Sequence, residues 1–445
     1  MSHPKFVVVG HPNKGKSSIV STLTLDDSVV ISDKPGTTTK SRSFKLKSGE
    51  KTLYELIDTP GFQRPRKLLK ILQKGNPSAI ERPQRVLEFL DAYCSDNSFR
   101  DECELLRPIM SGGGIIYVVD ASKPYSPEFE SEMEILRYCG RGSMAILNYI
   151  GDSDYTKEWD AILGQYFRII KPFNPLKATF KDHIDLLEAL KHIDPNWGKN
   201  LDEAITLLKE FHQEQKIQIA TLITDTIEDI LSFQLQKSSA LFNFSNEKLI
   251  AEFKETIEKK EQKLFSDIKD ILNFKNSDIG VENIKVEYNL FSKEAYEIFG
   301  LSKDRLTLIS TLTSATAGGL IDLAVGGHSF FLGTVIGAAA GYFGANYGYE
   351  ELSKVKLLSN KVAQVGPIED QNFGFILLNR ALNYANALLN RSHANREKER
   401  ILPINDDLSI KNLKKISSIH KKFRDNRADE KDKAQYKEII LTHLM

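Results

Sequence analysis

Over the first 195 residues, short apolar runs recur between segments with helical periodicity. Phe6-Val-Val-Val9 is the first; others fall near 52–57, 114–119, 144–148 and 167–170, and a strand over 42–47 completes the set. Runs of this length separated by helix-patterned stretches predict an α/β domain over 1–195, a mostly parallel sheet with helices on both faces. Residues 62–110, rich in Arg, Lys and Leu, read as a helical insertion before the run that ends at Asp120.

Beyond 195 the period changes. Over 196–300 the spacing of Leu201, Ile205, Leu208 and Phe211, then of Phe253, Ile257, Leu264, Ile268 and Ile271, keeps an apolar stripe on one helical face. No heptad persists long enough to require a coiled coil. Residues 301–350 read as a glycine-rich apolar hairpin, with Gly333, Gly337, Gly341 and Gly344 near small-xxx-small register and each arm near spanning length. Asp322 and His328 are costly in lipid, so a tightly packed helical pair inside a soluble domain is the competing reading. Residues 351–445 read as a C-terminal helical region. There Ile410, Leu413, Ile416, Ile419 and Phe423 face one way, ringed by Lys411, Lys414, Lys415, Lys421, Lys422 and Arg424. Such a helix suits an anionic membrane surface or an acidic partner, or is the solvated face of an ordinary surface helix.

Composition narrows the class. With 445 residues, 41% hydrophobic and 27% charged, the chain can bury more than one core and is not disordered. Lys plus Arg equals Asp plus Glu at 60 each, so nothing global draws it to nucleic acid, and RNA or the ribosome is the weaker expectation because it needs a local basic patch. Cys94, Cys103 and Cys139 lack metal-ligand spacing, which predicts neither a zinc site nor a disulfide framework and fits a reducing cytosol. Met1-Ser-His-Pro-Lys5 leads straight into the first strand with no signal peptide, so the expected location is cytoplasmic, peripheral or integral at the inner face of the cytoplasmic membrane if the hairpin inserts.

The first apolar run is followed by Gly10-His-Pro-Asn-Lys-Gly-Lys16-Ser17, a GxxxxGK[ST] pattern between a strand and a helix. Glycines let backbone curl around phosphate oxygens, a lysine supplies charge to the terminal phosphates, a hydroxyl ligates Mg²⁺, and the helix N-terminus favours the anion. Asn13, Lys14, Gly15, Lys16, Ser17 and Ser18 are the expected nucleotide-binding residues, with Lys16 also catalytic. Tyr54-Glu-Leu-Ile-Asp58-Thr-Pro-Gly61 reads as a strand ending in DxxG, placing Asp58 near Mg²⁺ through water and the Gly61 N–H at the γ-phosphate. Between these motifs, Pro35-Gly-Thr37-Thr38-Thr39 offers hydroxyls where a first switch should lie, and one of them is the expected further Mg²⁺ ligand.

Through GHPNKGKSS, the PGTTT loop and DTPG, the first 190 or so residues resemble the Era/TrmE-like GTPases of the translation-factor class. The whole chain is similar to bacterial members with an uncharacterised helical C-terminal half. The resemblance makes Thr38 the preferred switch ligand and catalytic residue, leaving Thr37 and Thr39 open, and implies GTP and GDP as ligands. It also implies that Asn13 stands where cation-dependent members ligate K⁺; a loop-closing hydrogen bond is the alternative role.

Three positions depart from that pattern. The usual Asn-Lys-x-Asp becomes Asn148-Tyr-Ile-Gly-Asp152, with the aspartate one residue late; Asp152 and Asp154 are both candidates for the guanine edge, and capping its strand is the alternative role of Asn148. Asn174 is a weak stand-in for the last base-side motif. Phe62 follows Gly61 where a glutamine would orient the attacking water, which phenylalanine cannot do. The expectation is therefore a GTP-hydrolysing switch, slow without a partner, its helical half acting at a membrane. The alternative is a low-turnover binding module that recruits a protein or ribosome. The insertion over 62–110 is the expected effector or self-association surface.

Overall fold

In the computed structural model, described residues are 3–24, 40–95, 97–238, 246–272, 274, 286, 288–302, 305–306, 356–359, 362–392 and 409–444. They form two compact units. The first comprises Met1–Gln213, Phe274–Ile279 and Asn390–Glu397, and the second Glu214–Asn273, Gly280–Leu389 and Lys398–Met445.

The first unit is built on a six-stranded sheet. Its strands are β1 (Lys5–Val9), β2 (Arg42–Ser48), β3 (Lys51–Asp58), β4 (Gly114–Asp120), β5 (Ser143–Asn148) and β6 (Ile170–Pro172), in the order β2-β3-β1-β4-β5-β6. Only β2 runs antiparallel, paired to β3. The continuous apolar runs are explained by burial on both faces. Val7 and Val9 of β1 and Ile115, Tyr117 and Val119 of β4 enter one core, while Phe6, Val8, Ile116 and Val118 enter the other.

Helices α1 (Lys16–Thr24), α2 (Pro65–Leu72), α3 (Arg82–Tyr93), α4 (Arg100–Met110), α5 (Glu128–Tyr138), α6 (Thr156–Leu163) and α7 (Phe180–Leu190) cover these faces. The insertion is thus three helices, α2 to α4, whose Leu68, Leu72, Val86, Phe89, Leu105 and Leu106 join the first core. The second core takes residues of α1 and α7 and also Leu201, Ala204, Ile205 and Leu208 from α8 (Gly198–Ser232). Phe211, expected on the same stripe, is 43% exposed.

Two local expectations are corrected. The run at 167–170 is not a strand: the Phe167 N–H donates to Leu163 O at 2.8 Å, closing the turn after α6, and its ring stacks on Tyr117 at 5.3 Å, so β6 starts at Ile170. Cys94 and Cys103, expected to be unlinked, form a disulfide, because the turn after α3 folds α4 back and brings their Cα atoms within 5.8 Å. Cys139 is free and buried.

In the second unit, α9 (Asn246–Ile271), α10 (Lys293–Phe299), α11 (Gln371–Leu389), α12 (Ile410–Arg424) and α13 (Glu430–His443) accompany a three-stranded antiparallel sheet, β7 (Leu235–Ser238), β8 (Lys356–Ser359) and β9 (Val362–Val365), ordered β7-β9-β8. Helical periodicity gave no sign of that sheet. Arg380 of α11 holds Glu261 of α9 through Nε and Nη2 at 2.6 and 3.0 Å, both side chains almost fully buried. Leu413, Ile416, Ile419 and Phe423 of the basic helix α12 are buried, and Phe423 meets Tyr436 of α13 edge to face at 5.4 Å, so this part of its apolar stripe belongs to a protein core, whereas Ile410, expected on the same face, is 50% exposed. Residues 307–350 of the expected hairpin lie outside the described residues. Among those described, no helix is long and apolar enough to cross a membrane.

Candidate nucleotide-binding site

The parallel strands β1, β3, β4 and β5 end at one edge of the sheet, the edge where ligands bind in open α/β folds. The loop from Gly10 to Ser17 joins β1 to α1 there. Gly10 (φ 144°) and Gly15 (φ 84°) adopt backbone conformations disfavoured for other residues; a Cβ on Gly10 would lie 2.4 Å from Val118 O, and one on Gly15 would lie 2.2 Å from Asn148 Nδ2. Asn13 is left-handed too (φ 60°) and exposed at the loop crest.

Lys16 is buried inside the loop, its Nζ donating to Gly10 O at 3.2 Å and His11 O at 3.0 Å. Burial lowers its pKa to about 8, opposed by the nearby carboxylates of Asp58 and Glu132. A cationic nitrogen held only by carbonyls is suited to exchange these contacts for phosphate oxygens. Lys14 is also buried and lowered by desolvation, its Nζ 3.8 Å from Asp120 and 5.4 Å from the Phe129 ring centre.

Ser17 Oγ donates to Asp58 Oδ2 at 2.8 Å, joining the helix start to the end of β3. A hydroxyl and one carboxylate, hard oxygen donors beside a phosphate loop, fit Mg²⁺, which is held by few protein oxygens together with substrate phosphates. Among the described residues there is no cluster of three or more His, Cys, Asp or Glu that could hold a metal by itself. Thr37, Thr38 and Thr39 lie outside the described residues. Gly61 packs against the loop, where a Cβ would come within 2.6 Å of Pro12 N. Phe62 is buried in the first core, and its N–H donates to Gly10 O at 3.4 Å.

On the base side, Asn148 is a tether. Its Nδ2 donates to Lys14 O at 2.9 Å and its Oδ1 accepts from Tyr149 N at 2.8 Å, so one buried amide fixes the end of β5 to the phosphate loop. Asp152 is exposed. Asp154 accepts from Thr156 N at 2.9 Å, and this hydrogen bonding to Thr156 lowers its pKa. Asn174 donates to Tyr149 O at 3.2 Å and accepts from Leu176 N at 3.0 Å, joining the two base-side loops. Beside them lies a cavity of about 420 Å³ lined in part by Tyr149, Asn174 and Lys177.

Five contributors escaped the sequence reading. Asp120, at the end of β4, is fully buried beside Lys14 and accepts from Ser122 N at 3.1 Å, while Ser122 Oγ accepts from Gly151 N at 2.9 Å. The His11 ring bonds Glu132 of α5 through Nδ1 at 2.8 Å, and Tyr117 OH donates to the same carboxyl at 3.0 Å. Burial raises the Glu132 pKa, countered by these contacts. A strand-end aspartate was the only available signal; the partners of His11 lie more than a hundred residues away.

Fold and loop together define an Era-like P-loop GTPase domain. Residues 5–147 match the family model described as "50S ribosome-binding GTPase". Residues 161–442, more than half of the chain, match "Domain of unknown function (DUF3482)", and the chain belongs to that family. Among curated relatives, it is 39% identical over 94 residues to GTPase Der of Nitrosospira multiformis, covering 20% of each chain. It is 25% identical over 242 residues to GTPase Era of Clostridioides difficile, covering 54% of this chain and 66% of the relative. The match thus spans about a fifth of the length of the Der relative. A solved structure of Era in complex with MgGDPNP and nucleotides 1506–1542 of 16S ribosomal RNA aligns at 15% identity and a TM-score of 0.31, covering 61% of this chain and 90% of that one.

Proposed function

We propose that the chain binds GTP with Mg²⁺ and hydrolyses it to GDP and phosphate as a molecular switch. The observation that carries this reading is the convergence of Lys16, Ser17 and Asp58 at the end of β1 and β3, with Asn148 bracing the loop. Lys16 binds the terminal phosphates, the backbone from Asn13 to Ser18 cradles them, and the Gly61 N–H meets the γ-phosphate. Mg²⁺, when bound to Ser17, Thr38 and, through water, Asp58, neutralises charge on the β- and γ-phosphates. Asp152 reads the guanine edge.

Turnover is slow without a partner, because the position that would orient the attacking water is Phe62 and its ring is in the core. That burial is also the observation favouring the second reading, a low-turnover module whose GTP-bound state recruits a protein or ribosome. K⁺ at Asn13 supplies charge beside the phosphates, a role supported by the exposed, left-handed position of that residue. The helical half couples the switch to its partner, an anionic membrane surface being the first candidate, and the protein works in the cytoplasm or at the inner membrane face. Phosphate release in K⁺ or Na⁺, with and without anionic vesicles, tests these assignments: equal rates in both salts remove the Asn13 role, and no vesicle effect or co-sedimentation in any nucleotide state removes the membrane role.

A further inference from the structure

Helix α4 belongs to the insertion, yet it touches both segments that a γ-phosphate sensor must move. Glu102 is 1% exposed, and its Oε1 accepts from the backbone N–H groups of Gln63 at 3.1 Å and Arg64 at 2.5 Å. These amides directly follow Gly61 and Phe62 and open α2, whose own N-cap residue, Arg64, makes no side-chain capping bond. The carboxylate therefore caps α2 from a neighbouring helix. Arg64 is gripped a second time, its Nη1 donating to Ser98 O at 2.6 Å just ahead of α4. Two residues along from Glu102, Glu104 Oε2 accepts from Ser41 N at 3.1 Å and Ser41 Oγ at 2.9 Å, immediately before β2 and two positions after Thr39 in the chain. Between the two acids, Cys103 is bonded to Cys94 at the end of α3.

Consecutive residues after DxxG are thus fixed from different sides: Gly61 against Pro12, Phe62 by its ring in the core and its N–H on Gly10 O, Gln63 and Arg64 on Glu102. A chain without a glutamine at position 62 has only backbone there to meet the γ-phosphate, and backbone is an effective ligand only when already ordered. Hydrogen bonds to a buried carboxylate are of the stronger, charge-assisted kind.

We propose that Glu102 and Glu104 are positioning residues that tie α4 to both switch segments, so that recognition of the γ-phosphate depends on the insertion. The proposal rests on the GTP-binding reading above. GDP makes no demand on residues 61–64, whereas GTP requires the Gly61 N–H in place. Loss of the Glu102 anchor charges the ordering of that loop to GTP alone and leaves GDP affinity unaffected.

The test compares the affinities of the full chain for GDP and for a non-hydrolysable GTP analogue, with thermal melting as the folding control. Glu102→Ala is expected to weaken analogue binding by about tenfold, the scale of a lost charge-assisted bond, while GDP binding stays within about twofold. Glu102→Gln keeps an acceptor oxygen without the charge and should give a ratio between those of the wild type and Glu102→Ala. Glu104→Ala should lower the ratio by about threefold, and Arg85→Ala, which removes the exposed Arg85–Glu88 pair of α3, should leave it unchanged. Folded Glu102→Ala and Glu104→Ala proteins with the wild-type ratio would overturn the proposal; if Glu102→Ala does not fold, an unchanged ratio in Glu104→Ala overturns it alone. A wild-type chain that binds neither nucleotide instead refutes the GTP reading itself.

Discussion

The Ser17 hydroxyl and the Asp58 carboxylate, 41 residues apart in the chain, meet at 2.8 Å where α1 begins and β3 ends. Asp58 is buried, so the hydroxyl satisfies a carboxylate oxygen that has little access to water. On the GTP-binding reading proposed above, these are two of the groups that would hold the divalent ion. Ser17→Ala removes the donor to the buried Asp58 carboxylate, so it should cost about 1–3 kcal/mol of stability and weaken Mg²⁺-dependent GTP binding by about tenfold or more, the order expected for one lost bond to a charged group. Titrations with and without EDTA should converge for the variant and differ for the wild type.

Asn148→Ala leaves Lys14 O without its buried donor and removes the acceptor for Tyr149 N. The expected cost is about 1–3 kcal/mol of stability, accompanied by weaker binding of any nucleotide because the phosphate loop loses its brace. Denaturant unfolding measures the first effect and nucleotide titration the second. Asp152→Ala, altering an exposed side chain, should leave stability unchanged and reduce only the preference for GTP over ATP.

Both motifs that define the phosphate site were legible because their chemistry is local: Gly10 to Ser17 and Asp58 to Gly61 are contiguous segments whose residue types are dictated by what the backbone must do. The tether from Asn148 to Lys14 was not, since it spans 134 positions and an asparagine ending a strand looks the same whether it caps the strand or braces a loop. Glu102 and Glu104 read as two acids among many in a charged insertion; only the path of α4 brings them to Gln63, Arg64 and Ser41. In the helical half, periodicity located the stripe of Phe253, Ile257, Leu264 and Ile268. It missed β7 to β9, four-residue strands too short to show a period.

In the second unit, Glu261 and Arg380 are a buried pair whose value depends on both members. Arg380→Ala strands the Glu261 carboxylate, whose pKa burial already raises, and should cost about 3–5 kcal/mol. Replacing both with leucine should recover much of that loss, because a buried ion pair contributes little over a packed apolar one. Thermal and denaturant melts of the single and double variants check the difference.

His420 of α12 is buried against Tyr436, its Nε2 2.7 Å from the hydroxyl oxygen, and desolvation, aided by Arg424, lowers its pKa to about 3 from an ordinary 6.5. The unfolded chain takes up a proton below pH 6.5 that the folded chain refuses until about pH 3. Stability contributed by the neutral ring is therefore complete above the unfolded value and falls as the pH drops through that window, by up to ~1.4 kcal/mol per pH unit. A His420→Phe variant should show a flatter stability profile between those limits in pH-dependent urea unfolding.

Phosphate release by the purified full chain, given Mg²⁺ with GTP or ATP, beside a Lys16→Ala control, tests the central claim most directly. The account predicts slow release from GTP, little from ATP, and loss of both binding and release when Lys16 is removed. Release from ATP but not GTP, or GTP turnover unchanged in Lys16→Ala, would contradict it.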